Sequence, residues 1–271
     1  MSSILQDTSP SSLITAMEEN LFAWIPIFGG LGKACVNDPP GVRRAITNIP
    51  TPLFNSVMDA RLAPGRVDET IESIVSDARA RNVPVCWWTG PATRPTDLDE
   101  YLERHSFARG EEDAGMAVEL AKLNESLPVP TGLTIQLAQD DASWRQWGYV
   151  MGQGFGTPTP KEHNVNAWFE MLRRADPETM LAFTGWLDNK PIATSLVWMA
   201  AGVAGMYGVG TIPDARRKGV GAQMTLHALC QARSRGFKIG IIIGTKMGEN
   251  MYRSLGCQEY CKVRTHIWRP G

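Results

Sequence analysis

Three cations and two glycines stand together at Arg216-Arg217-Lys218-Gly219-Val220-Gly221, between an apolar run and a segment of helical periodicity. Glycines one residue apart let a backbone approach a ligand with no Cβ in the way. A helix that starts here leaves its first amide N–H groups without intrahelical acceptors, and such groups favour an anion. Arg216, Arg217 and Lys218 add charge of the matching sign. The pattern reads as a cradle for a pyrophosphate, although a tight strand-to-helix turn would also use a Gly-x-Gly. It is not a P-loop, for no Gly-x-x-x-x-Gly-Lys-Ser/Thr occurs, and it lacks the third glycine of the dinucleotide fingerprint.

A second chemical segment follows about 30 residues on, Asn250-Met251-Tyr252-Arg253-Ser254-Leu255-Gly256-Cys257. Its tyrosine carries a proton at neutral pH on a rigid ring, which suits a weak acid. The stretch Pro213-Asp-Ala-Arg-Arg-Lys-Gly-Val-Gly221 resembles the Pro-x-x-Arg-Gly-x-Gly-Ile-Gly loop by which GCN5-related N-acetyltransferases (GNAT) hold coenzyme A. The resemblance implies acetyl-CoA as co-substrate and no metal. It implies that Arg216, Arg217, Lys218, Gly219, Val220, Gly221 and Ala222 hold the pyrophosphate. It also implies that main-chain groups of Val209, Gly210 and Thr211 pair with pantetheine, that Asn250 lies near that arm, and that Tyr252 is the general acid. Arg217 departs from the family, where glycine is usual. No carboxylate or histidine lies within 203–212, where many members place a base. Glu249, His163 or a water chain remain open for that role, and His227, in mid-helix, is expected to be structural.

These residues need a frame. Leu133–Leu137 alternates as a strand. Asp140 or Asp141 can cap a helix to about Gly152, and Lys161–Arg174 reads as a second helix. Met180–Leu187, Ile192–Met199 and Val203–Ile212 read as strands, the first two joined by a turn at Asp188-Asn189-Lys190-Pro191. A helix over about Gly219–Arg235 buries Val220, Met224, Ala228 and Ala232, and Gly236 closes it. Lys238–Thr245 is a strand covered on both sides. Met247, Met251 and Leu255 line a short helix, and Glu259–Trp268 is the last strand. This order is that of GNAT proteins. In them the loop at this place usually shapes the acceptor site, and 152–158 reads equally well as a linker loop, whereas Trp144, Trp147 and Trp168 are expected in the core.

The segment Asn124–Gly132, with Pro128, Pro130 and Gly132, interrupts both periodicities and divides the chain. The expectation is a domain at 1–125, a linker at 126–132 and an acetyltransferase domain at 133–271. The first half echoes the second. Ala78-Arg79-Ala80-Arg81-Asn82 precedes the apolar run at 83–88, and 154 residues later Ala232-Arg233-Ser234-Arg235-Gly236 precedes another. At that offset Gly65 matches Gly219, but Val67 stands for Gly221 and Leu62 for Arg216. Asp97–Phe107 then reads as a helix matching Met247–Gly256. The fold expected is α/β, with two GNAT-like domains, each a mixed, mostly antiparallel sheet flanked by helices. The first would be a degenerate copy without the phosphate chemistry.

Hydrophobic residues make up 43% and charged residues 20% of the 271, as in folded globular chains. The net charge of −1 argues against a dedicated nucleic-acid binder. Five scattered cysteines and no apolar block near 18 residues give the expectation of a cytoplasmic protein with reduced thiols and no membrane partner. The activity expected is transfer of acetyl from acetyl-CoA to a primary amine by direct attack in a ternary complex. The alternative is a non-catalytic acyl-CoA binding or sensing protein. The acceptor and the oligomeric state stay open.

Overall fold

The structure, a computed structural model, describes residues 3–36 and 41–271. In chain order its elements are α1 (Pro10–Phe22), α2 (Trp24–Gly29), β1 (Cys35–Val36), β2 (Arg43–Ile46), β3 (Asn55–Met58), α3 (Val67–Ala80), β4 (Val85–Thr89), α4 (Leu98–Arg104) and β5 (Ala108–Glu119). There follow β6 (Thr134–Leu137), α5 (Asp141–Gly154), α6 (Glu162–Arg174), β7 (Met180–Leu187), β8 (Lys190–Ala200), β9 (Val203–Thr211), α7 (Val220–Ser234), β10 (Ile239–Gly244), α8 (Lys246–Ser254) and β11 (Gln258–Trp268).

The chain forms two compact units. The larger comprises Met1–Met17 and Ala114–Tyr260, the smaller Glu18–Asp113 and Cys261–Gly271.

The larger unit has the strand order β5-β10-β9-β8-β7-β6. Only β9 and β10 run parallel. Asp188 and Asn189 both sit at positive φ, 49° and 60°, and make a two-residue turn between β7 and β8. That turn matches the twist of a hairpin. Helix α5 is capped reciprocally: Asp140 Oδ1 accepts from the Ser143 amide at 2.8 Å, and Ser143 Oγ accepts from the Asp140 amide at 3.0 Å. On α7 the expected stripe of Val220, Met224, Ala228 and Ala232 is buried. Gly185 leaves room for it, since a Cβ there would fall 2.6 Å from Met224 Sδ. Trp147 is fully buried, donates from Nε1 to Ser195 O at 3.2 Å and meets Trp168 edge-on. His227 packs T-shaped on Phe183 with ring centres 4.9 Å apart, a structural place as expected. One side chain differs from the reading. Met247, placed with Met251 and Leu255 along its helix, is 78% exposed, while Leu255 is buried as expected and Tyr252 is buried beside it. Met247 is the second residue of α8, in its first turn, before the helix packs down.

The smaller unit has the order β1-β2-β3-β4-β11, with β3 and β4 parallel and the other pairs antiparallel. Helix α3 buries Val67, Ile71, Ile74, Val75 and Ala78. The succession α3-β4-α4-β5 repeats α7-β10-α8-β11, as the echoed sequence predicts.

The units do not follow the boundary expected at 126–132. Residues 114–125 belong with the second half of the sequence, and 261–271 with the first. The cause is an exchange of last strands. Ala114–Glu119 of β5 pairs with β10, while Arg264–Trp268 of β11 pairs with β4. Among the described residues no helix is long and apolar enough to cross a membrane.

Candidate active site

The site in the larger unit begins where two parallel strands part. β10 pairs with β9 only over Ala204–Met206, whereas β8 stays paired with β9 as far as Thr211. The β8–β9 register slips between Thr194 and Leu196, and Gly208 takes up the extra residue at φ 54°. Thr194 Oγ1 closes this bulge by donating to Gly208 O at 2.8 Å. A Cβ on Gly208 would also stand 2.9 Å from the Trp147 ring. Glycine is required there twice over.

Past the bulge, Ile212 N donates to Ile192 O at 2.9 Å, towards β8. Alternation along a strand then turns the main chain of Val209 and Thr211 to the edge that β10 has left. Gly210, grouped with them from the sequence, turns its main chain to β8, opposite Thr194. Its missing side chain serves another purpose, for a Cβ there would lie 3.4 Å from Gly154 Cα and 3.3 Å from Phe155 Cε2.

Helix α7 opens at Gly219, at φ 80° and ψ −2°, with no side chain capping it and no acid in its first turn. The amides of Val220, Gly221 and Ala222 are therefore available to an anion. The two glycines answer different demands. A Cβ on Gly219 would have room, its nearest neighbour being Pro128 O at 3.6 Å, so the left-handed backbone is what selects glycine. A Cβ on Gly221 would fall 3.0 Å from Met251 Sδ and 3.7 Å from Thr211 Oγ1, so close packing selects it. α7, α8 and the end of β9 meet at that point.

The three cations also divide. Arg217 sits left-handed at φ 61° and exposed, the conformation that glycine adopts without strain. Lys218 Nζ donates to Asp214 O at 2.9 Å. Arg216, grouped from the sequence with the phosphate ligands, turns its guanidinium elsewhere: Nε donates to Thr211 O and Nη2 to Gly154 O, each at 3.0 Å. It fastens the end of α5 to the end of β9. The sequence reading missed this fastening, and its only trace was the glycine at 154 and its partner at 210.

Tyr252 of α8 is 7% exposed. A Cβ on Gly244, the last residue of β10, would come 2.9 Å from its ring, and one on Gly248 2.8 Å. The two glycines form a slot for the phenol beside the diverging strand. Burial pushes the phenol well above its usual value of 10, so it keeps its proton. Burial likewise pushes the neighbouring Cys257 thiol up to about 12, which makes it inert. Asn250 lies exposed on the same helix.

Of the residues left open as a base, Glu249 is held by Arg253, whose Nη2 donates to its Oε1 at 2.5 Å and also to Glu259 at 2.9 Å. His163 is kept below the ordinary histidine value by partial burial and then by Lys161.

Residues 141–256 match the sequence profile described as the acetyltransferase (GNAT) family. No curated protein matches the chain. Among solved structures, a GCN5-related N-acetyltransferase from Kribbella flavida aligns over 94% of this chain and 96% of its own, with TM-score 0.69 and 19% identity. One from Sphaerobacter thermophilus covers 98% and 96%, with TM-score 0.63 and 15% identity. A tandem GNAT protein from the clavulanic acid biosynthesis pathway covers 99% and 97%, with TM-score 0.55 and 14% identity. At these identities the likeness is one of fold.

Proposed function

We propose that the chain is an N-acetyltransferase, moving the acetyl group of acetyl-CoA to a primary amine, a reading supported by the match of residues 141–256 to the acetyltransferase (GNAT) family. The observation that carries this reading is the β9 edge freed beyond Met206, which leads to the uncapped start of α7. Pantetheine resembles a dipeptide and can add to such an edge, with Thr211 N–H and the Val209 main chain as its partners. The diphosphate then falls to the amides of Val220, Gly221 and Ala222, beside Arg217 and Lys218.

In this reading the amine attacks the thioester carbonyl directly, and the sulfur leaves with a proton from the Tyr252 phenol. The elevated Tyr252 value keeps that proton available across the neutral range. Most of the rate comes from holding the two substrates together, with main-chain N–H groups polarising the carbonyl. A water chain removes the amine's proton, because β9 offers no carboxylate and Glu249 is held by Arg253. The protein works without a membrane or nucleic-acid partner, in the cytoplasm.

The lack of a carboxylate on β9 is also what favours the second reading, an acyl-CoA binder without catalysis. Acetyl-CoA mixed with a panel of amines, with released thiol followed, separates the two. Turnover with at least one amine supports the enzyme. Saturable binding of acetyl-CoA without thiol release across the panel supports the binder, and no binding sinks both.

A further inference from the structure

The smaller unit repeats the parting of two parallel strands and then closes it. β3 and β4 pair in parallel only at Ser56–Cys86 and Val57–Trp87. Beyond them Asp59 adopts φ 52°, as Gly208 adopts φ 54° beyond the paired part of β9. Ala60 and Leu62 thus stand to β3 as Val209 and Thr211 stand to β9, so Leu62 is the counterpart of Thr211 and not, as the fixed sequence offset puts it, of Arg216. Arg61 N donates to Gly41 O on the β2 side, so the main chain of Ala60 and Leu62 turns to the side of β4.

Those groups are taken. Arg94 N donates to Ala60 O at 2.8 Å and Leu62 N donates to Arg94 O at 2.9 Å, an added-strand pairing in which Arg61 and Arg94 lie opposite each other in parallel. These are the two bonds that pantetheine would make to Val209 O and Thr211 N in the larger unit. The loop that delivers Arg94 is fixed in place. Thr93 N donates to Gly90 O at 3.0 Å and Gly90 N to Thr93 Oγ1 at 2.8 Å. Ala92 N donates to the buried Glu18 carboxylate at 2.9 Å.

The rest of the cleft is altered to match. α3, the counterpart of α7, starts from Arg66 at φ −115° instead of from a left-handed glycine, and its first turn carries Asp68 and Glu69. Two carboxylates there repel a diphosphate. On α4, Leu102 precedes Ser106 (φ 65°) as Tyr252 precedes Gly256 (φ 99°) on α8, so the place of the phenol is apolar.

We infer that Gly90–Arg94 fill, in the smaller unit, the place of the pantetheine arm, so that the chain binds a single acyl-CoA, in the larger unit. This rests on the acetyl-CoA reading above for which ligand the open edge accepts. The full-length protein tests it through two measurements. Amide hydrogen exchange by NMR should find Leu62 and Arg94 slow with or without acetyl-CoA, whereas Thr211 becomes slow only when acetyl-CoA is added. Calorimetry with acetyl-CoA should give one site per chain, and Gly219→Asp, which places a carboxylate at the diphosphate cradle, should abolish the heat.

A stoichiometry of two, heat that persists in Gly219→Asp, or a Leu62 amide that is fast until acetyl-CoA is added would overturn the inference. Absence of heat in the wild type would remove the proposed function instead. The exchange of Leu62 and Arg94 in the free protein would still decide this one, slow supporting it and fast sinking it.

Discussion

Arg216 Nη2 donates to the carbonyl oxygen of Gly154 at 3.0 Å. One residue ahead of the left-handed Arg217, the chain thus reaches back to the last residue of α5, where the loop to α6 begins. Its Nε holds Thr211 O in the same grip. One side chain thus ties the segment proposed to hold the diphosphate to the end of α5, where the loop proposed to shape the acceptor site begins.

Arg216→Ala leaves both carbonyls unpaired and frees that loop, while the α7 amides stay in place. Loss of a hydrogen bond to a charged group is worth roughly 1.5–3 kcal/mol. We expect the acceptor KM to rise about tenfold or more on that scale, with a much smaller change in acetyl-CoA affinity. Initial-rate kinetics in both substrates tests this, and equal weakening of the two would refute it.

Tyr252→Phe keeps the ring in the slot between Gly244 and Gly248 and removes only the hydroxyl. Turnover should fall by about 10²- to 10⁴-fold, the usual contribution of a positioned acid, with acetyl-CoA affinity unchanged. Because burial raises the Tyr252 value above its usual 10, the wild type should show no alkaline loss of rate due to this group below pH 10. A pH–rate profile that falls near pH 9 and flattens in the variant would contradict the assignment.

Arg217 holds a left-handed backbone at φ 61°. Relief of that conformation is worth about 1–2 kcal/mol per residue. Arg217→Gly should therefore raise the melting temperature by a few degrees, roughly 2–4 °C per kcal/mol for a chain of this size. The same change removes a cation and should weaken acetyl-CoA binding. Calorimetric melts and titrations on one preparation separate the two effects.

Three histidines, His163, His227 and His266, are held below their ordinary value and give an acid limb to stability. Burial lowers His227 and His266 below the ordinary 6.5. His266 is fully buried, and neither of its ring nitrogens makes a hydrogen bond. A depressed value means that the unfolded chain takes up the proton first as pH falls. The stability they contribute is whole above 6.5 and declines below it, towards the folded values. Melting temperature should drop between pH 7 and pH 5, and His227→Phe should make that drop shallower. An unchanged slope in the variant would rule out His227 as a source.

Much of this fold was legible because its signals are local. The Asp140 cap, the β-branched run at 239–243 and the stripe on α7 each act within a few residues, and each appears where periodicity put it. The Arg216-to-Gly221 segment shows its helix start in the sequence itself, although the left-handed backbone that selects Gly219 does not show there. What escaped depends on partners distant along the chain. Nothing near Arg216 says that its guanidinium reaches Gly154, and nothing near Gly210 says that its missing side chain makes room for Gly154 and the Phe155 ring. The boundary at 126–132 looked natural because proline and glycine mark a break in periodicity. They cannot report which strand a preceding segment pairs with.

The crossed pairing of β5 with β10 and of β11 with β4 bears on how such a chain can be cut. A fragment beginning at residue 133 would carry every residue assigned to acetyl transfer, yet β10 would present a bare hydrogen-bonding edge where Ala114–Glu119 belongs. Exposed edges recruit other strands. Such a fragment should self-associate or precipitate, and a synthetic peptide spanning 108–119 should restore its solubility.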